Sequence, residues 1–112
     1  MIARVGYVER PIMIKHIVFF RLKDSAHGNS KEVNARLIKE KLEALKGVVP
    51  GIVRLEVGID FSKTEMSSDL ALYSEFATRA DLEAYQAHPA HKAVLPFIAE
   101  ARLDRCLVDY ED

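Results

Sequence analysis

From Ile14 the chain alternates, with Ile14, His16, Val18, Phe20 and Leu22 on one side and Lys15, Ile17, Phe19, Arg21 and Lys23 on the other. A period of two over this length predicts a β-strand, and apolar residues on both sides predict that neither face is fully solvated. The polar run 24 to 30 reads as a loop, and Asn29 followed three residues later by Glu32 has the form of a capping box with Asn in place of Ser or Thr. A helix is expected over about 30 to 46, with Val33, Leu37, Ile38, Leu42 and Leu45 inward. Gly47 is placed to close it in the left-handed conformation.

Pro50 and Gly51 then mark a turn before a second strand over 52 to 60, in which Val53, Leu55, Val57 and Ile59 alternate with Arg54, Glu56 and Gly58. After a polar loop over 61 to 69, a third strand carries Leu70, Leu72, Ser74 and Phe76 on one face, a spacing that suits a hairpin with the second. Thr78 with Asp81 three residues on opens a second helix that turns Leu82 and Tyr85 inward. Pro89 lacks the N–H that the helix ladder needs and interrupts it. Proline at a first helical position costs little, so His88 is expected to cap a helix restarting at Pro89. The last strand, about 101 to 110, carries Leu103 and Leu107 on one face and Cys106, Val108 and Tyr110 on the other.

The order strand, helix, strand, strand, helix, strand is the split βαβ pattern of α+β ferredoxin-like domains, βαββαβ with a four-stranded antiparallel sheet. Helices cover one face of such a sheet. Ile17 and Phe19, with Cys106, Val108 and Tyr110, would remain on the other, and an apolar face of that extent calls for a partner. A homodimer through the helix-free sheet face is the simplest closure.

Length and charge narrow the function classes. At 112 residues there is room for one domain. With 16 Lys and Arg against 17 Asp and Glu, the balance argues against nucleic acid or an anionic membrane as partners. No run reaches the length of a membrane span, and Arg4, Glu9 and Arg10 interrupt any signal-peptide core. The single cysteine, Cys106, permits no intrachain disulfide or Cys-rich metal site, which fits a cytoplasmic protein.

The chemistry-bearing stretch is AYQAHPAHKA, residues 84 to 93. A metal pair formed by His88 and His91 needs converging ring nitrogens and a third ligand, and the intervening proline and change of helical direction oppose it, so no metal and no cofactor are expected. From His91, helical steps of three, four and seven reach Val94, Leu95 and Ile98, which turns its imidazole toward the core or a pocket. His16 interrupts an otherwise aliphatic strand face. If Val18 and Phe20 face the helices, then His16, Tyr85 and His91 can line one pocket, with Ser74 adding a hydroxyl and Leu95 an apolar wall. The other reading takes the histidines as hydrogen-bonded core residues and Tyr85 as a packed ring. His27, in a loop, is expected to be solvated.

The stretches MIKHIVFFRLK at 13 to 23, VPGIVRLEVG at 49 to 58, SEFATRADLEAYQAHPAHKAVLPFI at 74 to 98 and CLVDYE at 106 to 111 resemble the stress-responsive dimeric α/β barrel family, Dabb. The resemblance covers about residues 13 to 112 and leaves 1 to 12 as an N-terminal extension, either an ordered arm, in which Val5 and Tyr7 alternate as an added edge strand would, or a frayed tail. It implies two ferredoxin-like protomers closing a dimeric α/β barrel, and a role in stress responses. Some plant relatives act as polyketide cyclases. By that motif His91 is implied as the acid/base, with Tyr85 assisting and His16 lining the pocket. The expected function is binding of a small, mostly apolar molecule between sheet and helices, with histidine acid/base chemistry of a cyclase, lyase or isomerase. The alternatives are a non-catalytic structural homodimer and, by fold analogy, a cofactor-free monooxygenase.

Overall fold

The computed structural model describes residues 12–112. The expected extension, with Val5 and Tyr7, lies outside the described residues except for Ile12. The elements are β1 (Ile14–Leu22), β2 (Ser25–Ala26), β3 (Asn29–Ser30), α1 (Lys31–Glu43) with a 3-10 turn at Ala44–Gly47, β4 (Ile52–Ile59), β5 (Leu70–Phe76), α2 (Arg79–Ala87), α3 (Pro89–Ala101) and β6 (Arg102–Glu111). β4, β5, β1 and β6 lie in that order in one antiparallel sheet, the expected ferredoxin-like α+β topology.

The register sets the geometry of the site. On the helix side, residues align across the sheet in rows: Leu55, Ser74, His16 and Asp109; then Val57, Leu72, Val18 and Leu107; then Ile59, Leu70, Phe20 and Arg105. Directly opposed residues in an antiparallel pair share a face, so His16 and Asp109 are side by side. Leu70, Leu72, Ser74 and Phe76 are all buried, as their alternation predicts. On the other side Ile17, Phe19, Tyr73, Cys106, Val108 and Tyr110 make a face with no helix over it, and Phe19, Val108 and Tyr110 are exposed. β6 is an edge strand exposed from Arg105 onward, because the helices are centred over β1, β5 and β4.

Several local expectations are corrected. Ser30, not Asn29, caps α1, accepting from the Val33 N–H at 3.3 Å. Asn29 instead donates to Asn34 Oδ1 at 3.2 Å, and the buried Asn34 donates to the Ala26 carbonyl at 3.0 Å, tying the small β2–β3 hairpin to the helix. Asn34 and Ala35 are buried where Val33 and Leu37 are only half-buried. α1 ends through the 3-10 turn, in which the Val48 and Val49 N–H groups both donate to the Leu45 carbonyl. Gly47 therefore needs no left-handed backbone, and the positive φ falls on Gly51, at 90°, in the turn before β4.

β4 breaks its own alternation, since the β4–β5 register slips between Ile52 and Arg54. The resulting bulge turns Val53 out to 49% exposure, and Ile52 packs on the core in its place. His27 is exposed but not simply solvated: its Nε2–H donates to the Phe97 carbonyl at 2.9 Å and its ring stacks on Phe97 at 4.1 Å.

Candidate functional site

Pro89 and the residues around it behave as proline chemistry demands. α2 ends at His88, whose extended backbone serves both as the end of α2 and as the N-cap of α3. Its Nδ1 accepts from the Ala90 N–H at 3.0 Å, so this ring nitrogen is occupied in capping. The turn that follows places His91 against the end of α2. His91 Nδ1 lies 3.2 Å from the Gln86 carbonyl, which can only accept, so Nδ1 carries the proton and Nε2 of the neutral ring keeps its lone pair.

His16 enters from the opposite wall. It is buried on β1, and its Nδ1 lies 2.5 Å from Oδ1 of Asp109, the residue facing it across the β1–β6 ladder. Donation to a carboxylate fixes the ring orientation and again leaves Nε2 free in the neutral form. Tyr85 sits between the two imidazoles, its ring centroid 6.3 Å from that of His16 and 4.5 Å from that of His91. Phe76 packs on its other side at 5.2 Å.

A cavity of about 170 Å³ opens between α3 and the β1–β6 half of the sheet. His16 and His91 line it together, brought from opposite layers, with Val18, Phe20, Leu72 and Leu95 forming much of the apolar wall. Ser74 is not part of that lining. It is fully buried on β5 beside His16, and its hydroxyl donates to the His16 carbonyl at 3.1 Å, tying β5 to β1. Tyr85 is likewise behind the lining, adjacent to His91 through its ring. Its hydroxyl is buried and has no hydrogen-bond partner among the described residues.

Electrostatics distinguishes the groups. Burial pushes the Tyr85 phenol up to about 12, so it is a neutral donor across the physiological range. Burial also lowers the His91 pKa from its ordinary value; the Gln86 hydrogen bond opposes this, while the nearby charges of His16 and Arg105 reinforce it. At neutral pH His91 is thus held as a base.

Arg102, Arg105 and Asp109 were absent from the sequence expectation. The first two line the cavity and the third holds His16. The available signal was the alternation Arg105, Leu107, Asp109 on β6, once that side of the strand is known to face the helices. A larger depression of about 530 Å³ lies on the helix-free side, lined by Phe19, Ile59, Phe61 and Met66 among others and by no imidazole. Its one titratable lining residue is Asp60, whose carboxylate is engaged by Ser62 and the Lys63 N–H, and the depression belongs with the exposed sheet face.

A dimeric protein of unknown function with a ferredoxin-like fold from Bacteroides fragilis NCTC 9343 is similar to this chain at 39% identity and a TM-score of 0.80, over 89% of this chain and 96% of that one. A dimeric ferredoxin-like protein of unknown function from Thermobifida fusca is similar at 25% identity and a TM-score of 0.76, over 93% and 94% of the two chains. Hydroxynitrile lyase from Passiflora edulis shares the fold, with a TM-score of 0.76 at 20% identity over 92% of this chain and 95% of that one. No curated protein matches the chain. The model of the stress responsive A/B barrel domain matches residues 14–112, and the chain belongs to that family, Dabb.

Proposed function

We propose that this chain binds a small, mostly apolar molecule in the cavity beneath α3 and moves a proton on it, with His91 as the acid/base. The observation that carries this reading is that two imidazoles from opposite layers line one cavity, each with Nδ1 held by the protein. Each neutral ring then has Nε2 left to meet a ligand. His91, kept neutral by burial, has Nε2 unprotonated to take a proton from a carbon next to a carbonyl. His16, oriented by Asp109, is suited to polarise the oxygen, while Tyr85 packs against the His91 ring from behind the lining. Many cyclase, lyase and isomerase reactions include that step. The Passiflora edulis hydroxynitrile lyase is similar in fold alone.

The working unit in this reading is a homodimer closed through the helix-free sheet face. Exposed Phe19, Val108 and Tyr110 and the apolar depression beside Phe61 and Met66 support it, as does the dimeric state of the Bacteroides fragilis relative. Phe19→Glu should convert a dimer to a monomer in analytical ultracentrifugation. A monomeric parent chain would remove this part of the proposal.

A second reading is a non-catalytic structural homodimer of the stress response. It is favoured by a specific observation: His16, His88 and His91 each spend a ring nitrogen on a bond that holds the fold. His91→Ala separates the two. Abolished binding or turnover with a nearly unchanged melting temperature supports the functional site. A loss of about 1–3 kcal/mol in stability with no ligand effect supports the structural reading.

A further inference from the structure

We infer that the ligand of this cavity is a small organic acid, its carboxylate held at the mouth by Arg105 with Arg102 beside it and its apolar body under α3. The inference rests on the reading of the cavity as a ligand site and adds the charge and size of what enters.

No acidic side chain is among the residues lining the cavity, while two arginines are. Asp109, the next carboxylate on the same face of β6, is committed to His16 and lies four strand positions from Arg105, roughly 13 Å along an extended chain. Asp104 is turned to the other face and held by Arg21, leaving Arg102 to act on it only at longer range. Arg105 has no acidic partner among the described residues, and its charge is close enough to His91 to disfavour a proton there. Its guanidinium is therefore available, and a guanidinium binds a carboxylate through two parallel hydrogen bonds.

Position and volume define the rest of the molecule. Arg105 lies in the sheet row of Phe20 and Leu70, on the exposed edge strand. A carboxylate bound there keeps part of its hydration while the body points inward. Inside, Val18, Phe20, Leu72, Leu95 and Ile98 offer only apolar contacts apart from the imidazoles. About 170 Å³ is well below the volume of drug-sized pockets and close to that of an apolar cavity that accommodates benzene. One ring, or a branched chain of similar bulk, fills it.

Benzoate, with benzyl alcohol as its uncharged counterpart, tests the inference on the full chain by amide chemical-shift titration. Benzoate should bind about tenfold more tightly than benzyl alcohol and shift amides of β1, α3 and β6, and added salt should weaken benzoate alone. Arg105→Gln should erase the preference while leaving the weaker benzyl alcohol binding in place, and Arg105→Lys should retain part of it. Equal binding of the two probes, or benzoate binding indifferent to both salt and Arg105→Gln, overturns the organic-acid assignment and leaves the ligand site standing. Cavity amides that respond to neither probe overturn both.

Discussion

Nδ1 of His16 lies 2.5 Å from Oδ1 of Asp109, and the two residues are direct register partners across the β1–β6 ladder. The pair is thus positioned by backbone hydrogen bonds, not by two flexible side chains finding each other. His16 is buried, whereas the Asp109 side chain keeps 38% of its surface exposed. Asp109→Ala should cost about 1–2 kcal/mol, the range for leaving a buried donor without its partner where water has some access. Urea denaturation measures the loss. Asp109→Asn should recover part of it, because its amide oxygen still accepts from Nδ1.

His91 makes stability depend on pH in a definite direction. Burial lowers its native pKa below the 6.5 of an exposed histidine, so between the two values the unfolded chain binds more protons than the folded one. The contribution is whole above about 6.5 and is lost as pH falls from there toward the lower native value. The urea midpoint of the parent chain should decline across that interval. His91→Gln should flatten that part of the profile, and an unchanged profile would remove His91 from the account.

Tyr85 combines a packed ring with an unpaired hydroxyl. Its phenol, raised to about 12 by burial, stays protonated in the folded chain while an unfolded tyrosine ionises near 10.0. Stability from this group is therefore present below about 10 and lost as pH rises from there to about 12. Tyr85→Phe keeps the contacts with Phe76 and His91 and removes a buried oxygen with no partner among the described residues. The variant should be as stable as the parent at neutral pH or up to about 1 kcal/mol more so. It should also lack the most alkaline step in a phenolate absorbance titration. Higher stability together with weaker ligand binding would identify the hydroxyl as held for a ligand.

How far the sequence carried depended on whether one period dominated. In β5 the alternation of Leu70, Leu72, Ser74 and Phe76 matches burial at every position, and in α3 the spacing from His91 to Ile98 put the imidazole on the right face. Pro89 made the His88 cap legible because its missing N–H leaves few places for it in a helix. β6 was different. Both of its faces mix apolar and polar residues, so its own pattern does not say which side meets the helices, or that Arg105 and Asp109 reach the site. The bulge at Val53 was invisible for a related reason: the run from Val53 to Ile59 alternates correctly by itself, and only pairing with β5 reveals the extra residue. Asn29 and Ser30 are both good caps, and neighbouring candidates leave a one-residue ambiguity that the Asn34 hydrogen bonds resolve.

β4 is the other edge of the sheet, and α1 covers part of it with side chains. The Val57 N–H donates to Glu43 Oε2 at 3.0 Å, and Lys39 Nζ donates to the Val57 carbonyl and also, at 2.8 Å, to Glu43 Oε2. Together they occupy the donor and acceptor that an added strand would otherwise pair. Both side chains are more than a third exposed, so Glu43→Ala should cost only about 1 kcal/mol. Lys39 and the Val57 N–H hold the Glu43 carboxyl below its usual range. Its contribution is therefore present above about 4.5 and lost as pH falls below that value toward the lower native pKa. The more telling readout is the edge itself. In Glu43→Ala the Val57 amide should exchange with solvent faster than the β1 amides at equal global stability, and the protein should aggregate sooner on mild heating. If Val57 exchange follows global unfolding in parent and variant alike, the two side chains do not guard the edge, and the helix backbone shields it instead.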